Sequence, residues 1–388
     1  MSPVEVAYKL LGKNMKILHL CSYYIGSVVY KKLYEQLARE PAVDEQYVWV
    51  PVRAEDQRGL NVSAEPSIHP IYNKCLSLLT RLSFLYKIVC LFFSFQYQPR
   101  RSQIIEGCNL IHAHTLYSDG FLAYCLSRKY HIPYVLSIRT TDVSIFERYL
   151  PQWRFMTRRI IRGARCLVFI SPAHKKIIES RYSDYLPRTL LLPNGVDDYW
   201  IENSLFKRVL KRQGERQGIY IGEINRNKNI RGAILAFFEA NRGVPARFTV
   251  LGGSYQDYRM VFGDLAEELV NQVDFVDRTK DKKRIRDLLR RSQVLVMPSY
   301  METFGLTYLE AISQCVPVVY SRHQGIDGLY PEGAVGFSCN PGQQDSIAMA
   351  VRRVFDRFPE GLVFPEGQNP VCEFSWKARA RILLSQAY

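Results

Sequence analysis

The length of 388 residues predicts two folded domains. The composition, 47% hydrophobic and 23% charged, excludes a disordered protein. Its nine cysteines are odd in number and never in CxxC spacing, which argues against a disulfide framework or a zinc site and favours a reducing compartment. A formal net charge of +15 requires an anionic partner: nucleic acid, anionic lipid or a phosphorylated substrate.

The first half of the chain alternates apolar runs with helical patterns. Residues 1–14 hold no apolar segment of signal-peptide length, so we expect a cytoplasmic protein. These residues form a short extension, or translation begins at Met15. Near-continuous apolar strands separated by helices are typical of a parallel sheet covered on both faces. The predicted strands are Met15–Leu20, Tyr47–Val52, Asn109–His112, Tyr134–Ile138, Cys166–Ile170 and Thr189–Leu192.

The same alternation restarts in the second half, after residues 193–200. We therefore predict an α/β protein with two doubly wound, Rossmann-like domains facing a central cleft. In such sheets ligands bind beyond the carboxyl ends of the strands, so the loops that follow the strands are where we look for a site. The second set of predicted strands is Gly218–Ile221, Arg247–Leu251, Val273–Val276, Val294–Met297 and Val316–Tyr320.

Lys74–Tyr97 is the most apolar stretch of the chain, and it follows Arg53–Pro70, which we interpret as a loop without a readable pattern. Arg81 and Lys87 interrupt the stretch, which argues against a membrane-spanning helix. Two interpretations stay open: an interfacial helix that lies on a membrane, or an ordinary helix packed on the sheet. On a helical wheel, the side chains opposite the polar arc are Leu78, Leu79, Leu82, Tyr86 and Val89.

The segment Pro298–Ala311 (PSYMETFGLTYLEA) carries the strongest chemical pattern. A strand ends before it, its loop contains Glu302, and a helix is predicted to begin near Gly305. Glu310 lies one to two turns into that helix, where a carboxylate can accept hydrogen bonds from a ribose diol. The alternative is that both glutamates are ordinary exposed side chains. Free backbone amides suited to a phosphate are expected at Gly305, Leu306 and Thr307.

A second pattern is Tyr220–Ile230 (YIGEINRNKNI), in which a strand ends at Gly222 and Lys228 follows at the start of a helix. A lysine in this position is a compact positive charge suited to a diphosphate. Without the neighbouring pattern, the same lysine would be interpreted as a solvated surface residue.

These segments together resemble glycosyltransferase family 4, whose scaffold is the GT-B fold. Glu302–Glu310 fits the E-x7-E motif of that family, Gly222 to Lys228 fits the spacing of its G-R-x4-K segment, and residues 193–197 resemble its P-N-G-V-D segment. The order of the matches makes the resemblance specific. Shorter matches are Val316–Val319 with Gly325, Gly336–Phe337 with Pro341, Phe374–Trp376, Ile111–His114 with Asp119–Gly120, and Ser137–Asp142.

The resemblance implies a retaining glycosyltransferase of the hexosyltransferase type. It would move a sugar from a UDP- or GDP-sugar to a lipid-linked or polysaccharide acceptor in cell-surface glycan biosynthesis. Residues 1–195 would bind the acceptor, residues 196–372 the nucleotide-sugar, and residues 373–388 would form a helix that returns to the first domain. No DxD sequence was found, so we expect neither a metal nor another cofactor.

The resemblance also implies roles for single residues. Glu310 would hold the ribose, and the amides of Gly305 and Leu306 would contact the distal phosphate or the sugar. Lys228 would neutralise the departing diphosphate, and Glu302 would hydrogen-bond the transferred sugar.

Three positions depart from the family pattern. Glu223 stands where an arginine is usual, and we hypothesise that Arg226 supplies the missing charge. Arg139 stands where many members have histidine, so we assign it to the acceptor. Catalytic assistance then falls to Asp142 or to His114, although a histidine after a strand is also a common structural hydrogen-bonder. The remaining departure is a Gly-Gly loop replaced by Gly26 and Ser27, whose amides could reach the donor phosphates or the acceptor.

The basic, partly apolar first domain predicts peripheral association with the anionic inner face of a membrane. Two other classes fit part of the pattern. A sugar-nucleotide epimerase or hydrolase shares the scaffold but lacks this combination of E-x7-E and lysine spacing. The basic segment Arg278–Arg291 fits a nucleic-acid-binding protein, but it is better explained as a solvated helix and no base-reading motif accompanies it, so we expect no nucleic-acid partner.

Overall fold

Two parallel β-sheets organise the chain in the computed structural model, which describes residues 14–147, 151–208 and 214–388. The interpretation of the first residues as an extension therefore falls almost entirely outside the described part. The chain divides into two units. The first comprises the described residues up to Ile170, then His174–Gly195 and Trp376–Tyr388, and the second comprises Ser171–Ala173 and Val196–Ser375.

The first unit holds a seven-stranded sheet in the order β3-β2-β1-β4-β5-β6-β7. All its neighbouring strands are parallel. The strand order reverses between β1 and β4, the place where parallel α/β sheets bind ligands. The strands are β1 Met15–Leu20, β2 Val43–Val52, β3 Ile68–Lys74, β4 Cys108–Ala113, β5 Tyr134–Ile138, β6 Cys166–Phe169 and β7 Arg188–Leu191.

Helices cover the sheet because its strands are apolar on both faces; β5, for example, is buried along its whole length. A π-helical turn, Asp142–Phe146, follows β5. The α-helices that precede Val196 are α1 Val28–Ala38, α2 Leu79–Leu82, α3 Phe84–Gln96, α4 Arg101–Ile105, α5 Ser118–Tyr130, α6 Arg154–Gly163 and α7 Pro172–Tyr182. Short 3-10 helices lie at Tyr24–Gly26, Glu55–Gln57, Pro151–Trp153 and Ser183–Tyr185.

The second unit repeats the design with a six-stranded sheet in the order β10-β9-β8-β11-β12-β13. Its strand pairs are parallel, and the order reverses between β8 and β11. The strands are β8 Arg216–Ile221, β9 Ala246–Leu251, β10 Val273–Val276, β11 Val294–Met297, β12 Val318–Ser321 and β13 Gly336–Cys339. The helices are α8 Asp198–Glu202, α9 Ile230–Ala240, α10 Tyr255–Phe262, α11 Glu267–Val270, α12 Lys282–Arg291, α13 Leu306–Ser313 and α14 Gln344–Arg357, with 3-10 helices at Arg226–Lys228 and Cys372–Phe374.

The last helix, α15 Trp376–Gln386, belongs to the first unit and packs on α1. Its side chains Trp376, Leu383 and Leu384 are part of the same hydrophobic cluster as β1. The Trp376 ring covers Gly195 so closely that a Cβ at that glycine would lie 2.4 Å from a ring carbon. The contact therefore requires glycine at position 195.

Three regions differ from the predicted elements. Gly336–Cys339 forms β13, where no strand was predicted. Residues up to Pro70 were interpreted as a loop, but Ile68–Lys74 forms β3, an edge strand in which a proline is tolerated because one side of the strand has no partner. The helix predicted over Lys74–Tyr97 is wrong at its start, because Lys74 ends β3 and Ser83 separates α2 from α3. The Ser83 side chain caps α3 by accepting a hydrogen bond from the Tyr86 amide.

Candidate active site

The loop after β11 and the first turn of α13 build the centre of the candidate site. Gly305 precedes α13 and has φ of +79°, a backbone conformation that favours glycine. A Cβ at this position would also lie 2.4 Å from the Tyr308 ring, so both the backbone and the available space require glycine. Among the described residues, the amides of Gly305, Leu306 and Thr307 have no hydrogen-bond acceptor. The helix therefore presents free N–H groups at the carboxyl edge of the sheet, an arrangement that suits a phosphate.

Lys228 and Glu302, which are 74 positions apart in sequence, meet in an ion pair whose Nζ–Oε2 distance is 2.6 Å. The Glu302 side chain is largely buried. The Ser299 hydroxyl donates to its Oε2 at 3.4 Å, and the Thr303 amide donates to its Oε1 at 3.1 Å. The structure thus brings together two of the residues predicted to bind the donor, and it holds the carboxylate in one orientation.

Two hydrogen bonds hold the loop after β8 against the loop after β11 and so position the Lys228–Glu302 pair. We call them the Asn227–Met301 clamp. Asn227 donates from Nδ2 to the Met301 carbonyl and accepts at Oδ1 from the Met301 amide, both at 2.9 Å. Asn225 caps the 3-10 helix that carries Lys228, since its Oδ1 accepts from the Lys228 amide at 3.1 Å. Asn227 was not predicted, because nothing in a sequence distinguishes a clamping asparagine from an ordinary loop residue.

Glycines let the loops after β8 and β9 approach each other. A Cβ at Gly252 would lie 1.8 Å from the Gly222 carbonyl oxygen, so the two backbones touch at a position that no larger residue can occupy. The Gly222 amide donates to the Leu251 carbonyl at 3.0 Å. Gly252 was not predicted as a site residue, although the Gly252–Gly253 pair directly after a strand was a usable signal.

The structure does not bring Arg226 to the Lys228–Glu302 pair. Arg226 is exposed and lines an open surface groove with Phe262, Tyr300 and other residues. The hypothesis that it replaces the arginine missing at Glu223 therefore gains no support from its position. Glu310 is half-buried in the second turn of α13.

In the first unit, Asp142 lies after β5 in the π-helical turn. Its Oδ2 accepts from the Arg139 amide at 2.9 Å, whereas its Oδ1 is buried and has no partner among the described residues. Burial raises the pKa of Asp142 to about 7, and the nearby Asp119 carboxyl adds to that shift. This carboxyl can therefore exchange a proton near neutral pH.

Asp119, at the start of α5, is a second buried carboxyl at this edge of the sheet. It accepts from the Ser22 amide at 3.3 Å and from the Ser22 hydroxyl, and Ser22 follows β1. Burial raises the pKa of Asp119 to about 6. Ser22 was not predicted as a site residue and Asp119 had no predicted role, although both follow the two strands between which the order reverses.

His114 lies in the interior, in a buried histidine cluster with His19 and His112. Its Nε2 is 2.8 Å from the Tyr34 hydroxyl and 3.2 Å from His19 Nδ1, and it is completely buried. Burial lowers the pKa of all three imidazoles, that of His19 to about 3, so they are neutral in the folded protein. The structure supports the structural interpretation of His114 and does not present it to a substrate.

The same three imidazoles lie close enough to share a metal ion. However, His19 already uses both ring nitrogens, towards His114 and Gln46, and His112 uses both towards Tyr388 and Ser137. Of the ring nitrogens in the cluster, only His114 Nδ1 is buried without a partner among the described residues. Because the hydrogen bonds of His19 and His112 occupy the nitrogens that a shared metal would need, we assign the cluster a structural role.

The predicted phosphate contact of the Gly26 and Ser27 amides gains no support from the structure, because both amides already form hydrogen bonds within the chain. They donate to the Tyr23 and Tyr24 carbonyls at 3.3 and 3.4 Å. The Ser27 hydroxyl also caps α1 by accepting from the Val29 amide. The sequence showed that a loop follows β1 but not that a 3-10 turn uses its amides.

The helices α2 and α3 carry an exposed apolar face, which we call the docking face. The opposite side of α3 packs inward through Ile88, Leu91 and Phe95. Lys87 is also directed inward, and burial lowers its pKa. The apolar side of the predicted helix therefore points away from the sheet. The docking face consists of Leu78, Leu79, Leu82, Leu85, Tyr86, Val89, Phe93 and Tyr97, among which Leu82 is 77% exposed and Tyr97 80%.

Two parallel-sheet α/β units place this protein among the glycosyltransferases of the GT-B fold. Sequence comparison specifies the family. The profile described as "Glycosyltransferase Family 4" matches residues 68–199, and the profile "Glycosyl transferases group 1" matches residues 202–358. The chain belongs to the family 4 glycosyltransferases, as the motifs predicted.

The relatives are distant. The glycogen synthase of Mycobacterium tuberculosis is 26% identical over 64% of this chain, which spans 60% of the length of that enzyme. The putative teichuronic acid biosynthesis glycosyltransferase TuaC of Bacillus subtilis is 26% identical over 57% of this chain and 55% of its own. Sucrose-phosphate synthase from Thermosynechococcus elongatus has the same fold, with a TM-score of 0.70 and 19% identity over 94% of this chain and 96% of its own. Within the described residues, no helix has the length and hydrophobicity needed to cross a membrane.

Proposed function

We propose that this protein is a retaining glycosyltransferase that moves a hexose from a UDP- or GDP-sugar to a lipid-linked or polysaccharide acceptor during cell-surface glycan biosynthesis. The observation that carries the proposal is the Lys228–Glu302 pair beside the free amides of α13. The name of TuaC, which refers to teichuronic acid biosynthesis, supports the cell-surface setting.

The donor would bind to the second unit. Its diphosphate takes Lys228 from Glu302, because a dianion offers the lysine more negative charge than one carboxylate. The amides of Gly305 and Leu306 bind the distal phosphate, and Glu310 accepts hydrogen bonds from the ribose. Glu302, still fixed by Ser299 and Thr303, then accepts hydrogen bonds from the sugar hydroxyls.

In the transfer step, the bond between the sugar C1 and the diphosphate oxygen breaks, and a bond from C1 to the acceptor hydroxyl oxygen forms on the same face. The acceptor proton goes to the departing phosphate oxygen. Lys228 and the α13 amides stabilise the charge that develops there, and such a contact contributes about 2.7–4 kcal/mol. This chemistry needs no pair of carboxylates flanking the bond and no metal.

The acceptor would bind to the first unit, beside Arg139 and Asp142. An Asp142 carboxyl that exchanges its proton near neutral pH can accept a hydrogen bond from the acceptor hydroxyl or return a proton to it.

The docking face supports peripheral binding to the inner face of the cytoplasmic membrane. Its exposed leucines and aromatic residues suit the lipid interface. The arginine-rich α6 lies next to α3, because Phe84 of α3 contacts Trp153, the residue directly before α6, with ring centroids 5.1 Å apart. Arg158, Arg159 and Arg162 of α6 are exposed and suit anionic headgroups.

Calorimetric titration with UDP, GDP and ADP, without metal, tests the proposal. We expect saturable binding of UDP or GDP that is lost in Glu310→Ala and kept in the matched surface variant Glu366→Ala. Failure of all three nucleotides to bind would refute the donor assignment. A product lacking the acceptor, released at full rate when no acceptor is added, would instead identify a hydrolase or epimerase.

A further inference from the structure

An open groove on the second unit takes no part in the donor chemistry proposed above. Its volume of ≈ 460 Å³ lies within the range typical of ligand sites. Because the groove is open to solvent, it suits a segment of an extended polymer better than a compact molecule that must be enclosed. No acidic residue of the described part of the chain lines it. We call it the Arg226 groove, and its charged and aromatic side chains are Arg226, Arg231, Phe262 and Tyr300.

The positive charge of the groove is not compensated. The Arg226 guanidinium is exposed and has no hydrogen-bond or ion-pair partner among the residues that the structure describes. Arg231 is also exposed, and its Nη1 donates to the Phe262 carbonyl at 2.9 Å, a contact that orients the side chain without neutralising its charge. Two guanidinium groups in one groove attract an anionic ligand, and their planar forks match the two oxygens of a carboxylate.

Tyr300 supplies an exposed aromatic surface in the same groove. Its side chain is 48% exposed, and within the described ranges neither its ring nor its hydroxyl has a partner. Its backbone is nevertheless fixed, because the Tyr300 amide donates to the Asn227 carbonyl at 2.8 Å. A tyrosine held in this way offers a flat apolar face and a polar tip. That combination suits a sugar ring, which has apolar C–H groups on its face and hydroxyls at its edge.

The groove adjoins the Lys228–Glu302 pair. Residues 226–228 and 300–302 lie side by side, joined by the Asn227–Met301 clamp and by the hydrogen bond from the Tyr300 amide. The first residue of each segment lines the groove, and the third belongs to the ion pair. Two residues of chain span at most about 7 Å, a distance comparable with the length of one sugar unit. A ligand in the groove therefore lies next to the position proposed for the transferred sugar.

We propose that the Arg226 groove binds an acidic glycan, whose carboxylates contact Arg226 and Arg231 and one of whose sugar rings packs on Tyr300. The inference rests on the glycosyltransferase function proposed above and specifies its acceptor as a glycan that carries uronic acids. A nucleic-acid strand fits the groove less well, because such strands are bound by a row of cations and several stacking rings. The groove offers two arginines and one exposed ring.

Calorimetric titration of the full chain at low salt, with trigalacturonate and with the neutral maltotriose, tests this proposal. We expect trigalacturonate to bind more tightly than maltotriose, which has the same number of sugar units but no carboxylate. Arg226→Met should weaken trigalacturonate binding about 10- to 100-fold, the loss typical of a hydrogen bond to a charged group. The matched control is Arg242→Met, which removes an exposed arginine beyond the other end of α9 and should bind as the wild type does.

A second variant tests the aromatic contact. Tyr300→Ala keeps both arginines and the backbone hydrogen bond of position 300, so it should weaken trigalacturonate binding without lowering Tm. Absence of trigalacturonate binding, unchanged binding in Arg226→Met and Tyr300→Ala, or equal affinity for the two glycans would each overturn the proposal. Tighter, Arg226-dependent binding of a single-stranded oligothymidylate would assign the groove to nucleic acid and overturn it as well.

Failure of this proposal is distinguishable from failure of the transferase function. UDP and GDP titrations of the same preparations report on the donor site. Nucleotide binding without Arg226-dependent glycan binding would refute the groove and leave the transferase function in place. Absence of nucleotide binding would refute that function whatever the glycan probes show. A loss of UDP affinity in Arg226→Met would show that this arginine serves the donor, and it would overturn the assignment of Arg226 to the groove.

Discussion

Replacing Lys228 by methionine separates the catalytic role of the lysine from its role in stability. The change leaves the Glu302 carboxylate, 8% exposed, with the Thr303 amide and the Ser299 hydroxyl as its donors. Losing a hydrogen bond to a charged group costs about 1.5–3 kcal/mol. Because the lysine side chain is 21% exposed and partly screened by solvent, we expect a loss of stability near the lower end, about 1.5 kcal/mol.

Activity should fall much further than stability. If Lys228 stabilises the departing diphosphate, Lys228→Met lowers kcat/KM by about 100- to 1,000-fold. Adding Glu302→Gln removes the buried charge left unpaired, so the double variant should recover stability but not activity. Urea unfolding and initial-rate kinetics measure the two effects, with Lys280→Met as the surface control. A Lys228→Met enzyme whose kcat/KM stays within about threefold of the wild type would refute the assignment.

Three other perturbations test separate parts of the molecule. Gly195→Ala should destabilise the first unit by about 1–3 kcal/mol, seen as a lower Tm, because its Cβ meets the Trp376 ring at 2.4 Å. The buried histidine cluster, whose pKa values are lowered, contributes stability that is complete above about pH 6.5 and lost as pH falls, whereas Asp142, with a raised pKa, opposes this loss. Asp142→Asn should therefore steepen the acid loss by up to about 1.4 kcal/mol per pH unit, measured by urea unfolding at pH 5 and 6.5; an unchanged slope would contradict the burial argument. Phe93→Glu in the docking face should reduce flotation with anionic vesicles while leaving Tm unchanged. The control is Met349→Glu at a similarly exposed position of the second unit, which should float as the wild type does. Equal flotation of the two variants would refute the membrane proposal.

Most strands could be predicted from the sequence because their apolar runs are buried on both faces, as in β5 and β11. The exceptions are β3, an edge strand whose polar residues and Pro70 conceal the pattern, and β13, an edge strand of only four residues. The periodicity of α3 separated its two sides correctly but could not determine which side faces the sheet, because the spacing of apolar residues describes the surface of a helix and not its neighbours.

Some features of the candidate site could likewise be predicted from the sequence, and others could not. Glu302, Lys228 and Gly305 follow strands at a reversal of the strand order, so their spacing was informative. The use of the Gly26 amides in a turn and the burial of His114 depend on tertiary packing that no local pattern encodes. The Asn227–Met301 clamp joins loops far apart in sequence and was equally invisible.

The position of α15 in the first unit has a consequence for how the protein is made. The hydrophobic cluster around β1 includes Trp376, Leu384 and Tyr388, which are translated after the whole second unit. The second unit, whose last residue is Ser375, therefore has its whole sequence before the first unit does. The ribosome must therefore synthesise the second unit before the first sheet is fully covered, and until then the nascent first unit exposes the apolar surface that α15 later buries.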